Sequence, residues 1–107
     1  MTHFPNISPD DLQIVHFVIK HYLSTDARIY VFGSRSKPTP CKRFSDLDLA
    51  IDAGRELTSR EVGRLKDAFS ISDLIYRVDI VDMNSVSDHF KKIIEAEMVE
   101  LPKPPTP

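Results

Sequence analysis

The spacing of hydrophobic positions divides the chain into alternating helices and strands. Apolar residues three to four positions apart predict three helices, the first over residues 9–24. Runs rich in β-branched and aromatic residues predict three strands, over 28–33, 46–52 and 76–82. The predicted order is helix, strand, loop, strand, helix, strand, helix, which indicates an α/β or α+β fold.

Each predicted helix begins at a hydroxyl residue that can cap it. Ser8 precedes Pro9, a residue suited to the first helical position. Thr58 stands three residues before Glu61, the spacing of a capping box, and Ser85 is expected to open the last helix. These signals predict where the helices start more sharply than hydrophobic spacing alone.

The chain length and its last residues predict a single domain followed by a short tail. At 107 residues the chain is long enough for one hydrophobic core. We expect this domain to span 1–101. Residues 102–107 are rich in proline, which cannot continue a helix, so we expect them to form a flexible tail.

Composition and charge argue against several classes of protein. The 14 Lys and Arg residues against 16 Asp and Glu give a net charge of -2, so we expect no nucleic acid as a direct partner. No apolar run approaches the roughly 20 residues that span a bilayer. The N-terminus lacks a secretory signal pattern, and the single Cys41 cannot form an internal disulfide. We therefore expect a cytoplasmic protein.

Two aspartates interrupt the apolar run of the second predicted strand. Asp46 and Asp48 alternate with Leu47 and Leu49, so both carboxylates should point to one face while the leucines point to the other. Two carboxylates this close repel each other unless a cation lies between them. Oxygen ligands of this kind suit Mg²⁺ or Mn²⁺. An Asp-x-Asp pattern alone is common, so its surroundings decide what it means.

A glycine turn and a basic loop lie between the first two strands. Gly33 lets the backbone approach a phosphate closely, and Ser34 offers both a hydroxyl and a backbone N–H. Four basic residues follow in the loop, namely Arg35, Lys37, Lys42 and Arg43. The loop is therefore either complementary to a triphosphate or simply a solvated basic segment.

Together these residues resemble the signature of the nucleotidyltransferase superfamily, a Gly-Ser pair followed by Asp-x-Asp. The likeness is specifically to the minimal nucleotidyltransferase (MNT) proteins of HEPN-MNT toxin-antitoxin pairs, and it covers residues 10–98. Asp79 matches the family's later strand aspartate. It also fits strand geometry, because Val78 and Ile80 would face the core and leave Asp79 on the opposite face.

The resemblance implies a fold and a set of site residues. The fold is the nucleotidyltransferase one, a mixed β-sheet with helices packed on one face. The implied catalytic and metal-binding residues are Asp46, Asp48 and Asp79. The implied nucleotide-binding residues are Gly33, Ser34, Arg35 and Lys37.

The resemblance also implies an activity and a partner. The chain would be a Mg²⁺-dependent nucleotidyltransferase that transfers AMP from ATP to a hydroxyl of a small helical HEPN-type protein, a toxin or a substrate-binding subunit, and so acts as its antitoxin. A homo-oligomer or hetero-oligomer is expected. In two-metal catalysis the three carboxylates would hold ions that supply positive charge to the nucleotide phosphates, and Asp79 would help to deprotonate the acceptor.

Two alternatives stay open at the level of the sequence. Pro38 and Pro40 stiffen the loop after the Gly-Ser pair and remove N–H donors. This departure from the family pattern motivates the first alternative, a binding module with weak or lost nucleotide chemistry that inhibits its partner by direct contact. A third possibility keeps the enzyme but transfers the nucleotide to a small molecule.

Overall fold

Four strands form one mixed sheet in the computed structural model, which describes residues 4–23 and 26–103. The strands are β1 (Arg28–Phe32), β2 (Leu47–Asp52), β3 (Val78–Asp82) and β4 (Val99–Glu100). Their order in the sheet is β3-β2-β1-β4. β1 runs antiparallel to both β2 and β4, whereas β2 and β3 are parallel. The predicted fold class, a mixed α/β sheet, is confirmed.

Three helices connect and cover the sheet, and two of them start where the capping signals predicted. They are α1 (Pro9–Tyr22), α2 (Ser59–Ser70) and α3 (Asp88–Glu97). The Ser8 hydroxyl accepts a hydrogen bond from the Asp11 N–H, and Thr58 forms a complete capping box with Glu61. α1 ends two positions before the predicted boundary at residue 24, which lies outside the described residues.

The start of α3 differs from the prediction. Its N-cap is Ser87, whose hydroxyl accepts from the Phe90 N–H at 3.2 Å. Ser85 lies in the preceding turn, where its N–H donates to the Asp82 carbonyl at 3.1 Å. Two nearby serines can both cap a helix, and the tight turn after β3 leaves only the second of them in position to do so.

The helices do not all pack on one face of the sheet, and this detail of the expected fold is wrong. α1 and α2 cover the face that carries Val31, Leu49 and Ile51 in the main core. α3 contributes Ile94 to a second, smaller cluster on the other face. Because side chains alternate along a strand, this second face is also the one to which Asp48 belongs.

β4 is a strand that the sequence pattern missed. It is only two residues long and pairs with Tyr30 and Val31 of β1. Beyond it, the Leu101 N–H donates to the Ile29 carbonyl at 2.8 Å. A strand this short has too few positions to show alternation. The expected boundary between domain and tail at 101/102 stays a prediction, since residues 104–107 lie outside the described part of the chain.

Candidate active site

Asp48 and Asp79 lie side by side on neighbouring strands. They are register partners in the parallel pairing of β2 with β3. The residues that flank them, Leu47, Leu49 and Val78, are buried in the main core on the other face. Alternation therefore directs both carboxylates to the face that α1 and α2 leave open. This placement agrees with the sequence argument that Val78 and Ile80 face the core and leave Asp79 on the opposite face, whereas its catalytic role stays a prediction.

Asp46 lies just before β2 and is connected to the pair by an arginine. Arg77 Nη2 is 3.0 Å from Asp46 Oδ2, and Arg77 Nε is 3.4 Å from Asp79 Oδ1. The Arg77 side chain is 72% exposed. The two carboxylates hold the pKa of the Arg77 guanidinium above its usual value. Arg77 was not singled out from the sequence, although its position two residues before Asp79 in an extended segment placed it on the same side.

The pKa of Asp48 is raised by its burial and by the neighbouring carboxylates. Burial, followed by the charges of Asp79, Asp46 and Glu97, raises the pKa of Asp48 to about 6. A raised carboxyl pKa means that the folded protein disfavours the ionised form of Asp48. The site therefore concentrates negative charge that a bound cation would relieve.

The Gly33 turn lies directly against Asp48. A short 3-10 helix, Gly33–Ser36, follows β1, and Gly33 has φ of +71°, a conformation that favours glycine. A Cβ atom at this position would overlap the Asp48 carboxylate. Ser34 is exposed beside the turn. The structure thus brings the predicted phosphate-binding turn and the predicted metal-binding aspartates together.

Glu97, at the end of α3, is a site residue that the sequence did not reveal. Its Oε1 accepts a hydrogen bond from the Gly33 N–H at 2.9 Å. Its Oε2 lies 3.4 Å from Lys37 Nζ. No local motif marks this residue, because its position depends on how α3 crosses the open face. Lys37 therefore lies near the turn, as predicted, but it is paired with a carboxylate.

Arg35 lies where it cannot serve as the phosphate ligand that was expected. Its side chain is buried and donates to the carbonyls of Ser45, Asn6 and Arg43 at 2.9 to 3.0 Å. The guanidinium also lies over the Tyr76 ring, 3.9 Å from its centroid. A group with these contacts ties the loop after β1 to the core. The structure thus corrects the expectation for Arg35, and the roles of the other predicted site residues stay predictions.

The donor chemistry of the open face fits a divalent magnesium-type ion. Asp46, Asp48 and Asp79 provide hard oxygen atoms, which Mg²⁺ prefers. The Arg77 guanidinium already stands as a cation between two of them. Within residues 4–23 and 26–103, no three acidic, histidine or cysteine side chains converge on one point as a finished metal site. Arg77 would have to move aside for an ion to take its place.

Comparison with known proteins gives concordant results. The family model "Polymerase beta, Nucleotidyltransferase" matches residues 18–102. A Haemophilus influenzae protein, described as a probable protein adenylyltransferase MntA, is 42% identical over 89 residues, which are 83% of this chain and 76% of that protein.

Solved structures have the same fold. A structure of a toxin-antitoxin with AMP-PNP superposes with a TM-score of 0.72 at 25% identity, over 87% of this chain and 73% of that one. A structure of a tri-AMPylated Shewanella oneidensis HEPN toxin in complex with MNT antitoxin gives a TM-score of 0.65 at 22% identity, over 86% and 69% of the two chains. The second likeness supports the fold alone.

Within the described residues, no helix is long and apolar enough to cross a membrane.

Proposed function

Because this chain belongs to the polymerase beta nucleotidyltransferase family, we propose that it transfers AMP from ATP to a hydroxyl group of a partner protein. One observation carries the proposal. Asp48 and Asp79 are register partners on the open face, and the Gly33 turn abuts Asp48. The 42% identity to a probable protein adenylyltransferase supports AMP as the transferred group and a protein as the acceptor.

Different residues of this chain would bind the phosphates, hold the metal and act on the acceptor hydroxyl. Gly33 and Ser34 would orient the triphosphate through the backbone N–H groups and the hydroxyl of the turn. Asp46, Asp48 and Asp79 would hold Mg²⁺, which when bound supplies positive charge to the phosphate oxygens. Asp79 would also accept the proton of the attacking hydroxyl.

The transfer exchanges one bond to phosphorus for another. The acceptor oxygen forms a bond to the α-phosphorus, and the bond from that phosphorus to the oxygen bridging it to the β-phosphorus breaks. Pyrophosphate leaves with the bonding electrons, while the hydroxyl proton passes to Asp79. Holding the two reactants in line is the main contribution that a small domain can make.

A helical HEPN-type toxin is the partner that we propose. The sequence resemblance points to it, and the structural neighbour at 25% identity is itself described as a toxin-antitoxin with AMP-PNP. α1 and α2 cover one face of the sheet, so the acceptor has to approach the face on which Asp48 lies. On this proposal the chain is an antitoxin that acts by chemical modification.

The proposal is tested by following the phosphate that is transferred. The chain is incubated with the HEPN-type protein, Mg²⁺ and ATP labelled on either the α-phosphate or the γ-phosphate. We expect label on the partner from α-labelled ATP only, and none with the Asp48→Asn variant. Asp52→Asn, at the other end of β2, should retain transfer and serves as the control. Transfer of γ-label would show a kinase instead, and no transfer from either nucleotide would contradict the proposal.

A further inference from the structure

Glu97 contacts two groups that the sequence predicts to bind nucleotide phosphates, the Gly33 N–H and the Lys37 ammonium. One carboxylate oxygen accepts from the Gly33 N–H at 2.9 Å, and the other lies 3.4 Å from Lys37 Nζ. A carboxylate and a phosphate are both anionic oxygen acceptors, so they compete for the same donors. While Glu97 is in place, the single N–H of Gly33 is occupied and the charge of Lys37 is paired with a carboxylate.

The backbone at Glu97 is fixed, although its side chain has room to leave. α3 ends at Glu97, and the Met98 N–H caps the helix by donating to the Ile94 carbonyl at 2.8 Å. Ile94 is fully buried beneath the helix. By contrast, the side chains of Glu97 and Lys37 are 31% and 55% exposed. We therefore expect a change of the Glu97 rotamer to release the turn while α3 stays in place.

We propose that Glu97 is a built-in substitute for the nucleotide's phosphate, which the triphosphate of the incoming nucleotide must displace from the Gly33 turn. The inference rests on the proposed function. Displacement costs free energy, and the apparent affinity is the intrinsic affinity multiplied by the fraction of molecules whose turn is released. The competition involves phosphate only, so a nucleoside without phosphates is unaffected by it. Glu97 thereby lowers the affinity for triphosphates in particular.

Binding measurements on conservative variants test this competition. Glu97→Gln keeps the size of the side chain but removes its charge, so its hold on Gly33 and Lys37 weakens. We expect the Kd for ATP and for inorganic triphosphate to fall about three- to tenfold, since charge-assisted hydrogen bonds are stronger than neutral ones. The Kd for adenosine should not change. Calorimetry in EDTA and again in Mg²⁺ provides a readout that does not depend on catalysis.

Glu95→Gln is the matched control for these measurements. Glu95 lies on the same helix, is exposed, and loses the same charge on substitution. If Glu97 acts only through the overall charge of the surface, the two variants will gain affinity equally, and the proposed displacement is wrong. If Glu97 merely stabilises the turn, Glu97→Gln will bind ATP as weakly as wild type or more weakly, which also overturns the inference.

Amide resonances report the displacement directly. Gly33 and Gly54 each donate a backbone N–H to a carboxylate, Gly33 to Glu97 and Gly54 to Asp52 Oδ1 at 3.0 Å. Addition of inorganic triphosphate to the wild type should move the NMR resonance of the Gly33 amide to a new chemical shift. The chemical shift of the Gly54 amide should not change. A Gly33 resonance that does not respond while ATP binds elsewhere would overturn the inference.

Failure of the inference can be told apart from failure of the proposed function. If wild type binds ATP and modifies its partner but Glu97→Gln gains no affinity, the inference alone fails. If neither wild type nor Glu97→Gln binds ATP or triphosphate, the proposed function fails and the inference fails with it.

Discussion

At the scale of single residues, Asp48 shows that the site is built at the expense of stability. Its folded-state pKa of about 6 lies above the ordinary value of 3.8, mainly because of burial and then of Asp79 and Asp46. Between these two values the folded state binds more protons than the unfolded state, so the free energy of unfolding falls as pH rises from about 4 to about 6. Above that range the full penalty is present.

Asp48→Asn should therefore make the protein more stable at neutral pH while it abolishes transfer. Each pKa unit corresponds to about 1.4 kcal/mol, and after discounting for solvent screening of a partly exposed group we expect a gain of about 1 kcal/mol. The gain should vanish below pH 4, where Asp48 is protonated in both states. Urea unfolding of the metal-free protein at several pH values measures it.

Asp52 provides a control of opposite sign on the same strand. A hydrogen bond from the Asn84 side chain, and then one from the Gly54 N–H, lower its pKa. Its contribution to stability is present at neutral pH and is lost as pH falls through its folded-state pKa. Asp52→Asn should accordingly destabilise the protein at pH 7. Equal effects of the two substitutions would contradict the electrostatic account of Asp48.

At the scale of elements, the loop between β1 and β2 is fixed to the core by one buried arginine. The Arg35 guanidinium donates to three backbone carbonyls and stacks on Tyr76. A single ammonium cannot reach three carbonyls spread around a planar group. The basic loop is thus tied to the core at Arg43 and Ser45.

Arg35→Lys should lower stability while Arg43→Lys does not. The first substitution leaves partly buried carbonyls short of donors and removes the guanidinium from the Tyr76 ring, and we expect it to cost about 2 to 3 kcal/mol. Arg43 is exposed, with its guanidinium 5.4 Å from the Phe44 ring centroid, so its replacement should change stability by less than about 0.5 kcal/mol. Urea unfolding of both variants decides the matter. Unchanged stability of Arg35→Lys together with weakened ATP binding would restore the phosphate role first expected for Arg35.

The elements also show which parts of the fold the sequence could predict. Long periodic helices and the strand that contains Asp48 were predictable, because their patterns are local. β4 was not, since two residues carry no period, and its strand exists only because β1 offers a free edge. Ser85 and Ser87 give nearly equivalent capping signals, and tertiary geometry chooses between them.

The candidate site divides in the same way. The positions of Gly33, Asp48 and Asp79 could be predicted because a glycine turn and the alternation of a strand depend on the local sequence alone. Glu97 and the packing of α3 on the second face could not, because they depend on how a helix crosses a sheet formed from distant segments. A basic residue near a phosphate motif can also serve the core, as Arg35 does.

At the scale of the whole molecule, the sheet separates the face packed by α1 and α2 from the face that carries the candidate site. α1 and α2 bury one face, while the carboxylates, the Gly33 turn and α3 share the other. On the proposed function, a second protein must therefore meet the face of the candidate site to be modified. A partner that is bound without being modified would cover the same face. Inhibition by contact and inhibition by modification therefore predict similar complexes.

Partner activity after separation distinguishes the two most directly. The HEPN-type protein is incubated with ATP, Mg²⁺ and either wild type or the double variant Asp46→Asn, Asp48→Asn, and is then purified away from each. Because modification is covalent, protein freed from wild type should stay inactive and carry AMP by mass spectrometry. The HEPN-type protein should still bind the double variant during the incubation. Once it is purified away from that variant, it should recover its activity. If protein freed from wild type regains full activity and carries no nucleotide, transfer is not what this chain does, and it inhibits by contact alone.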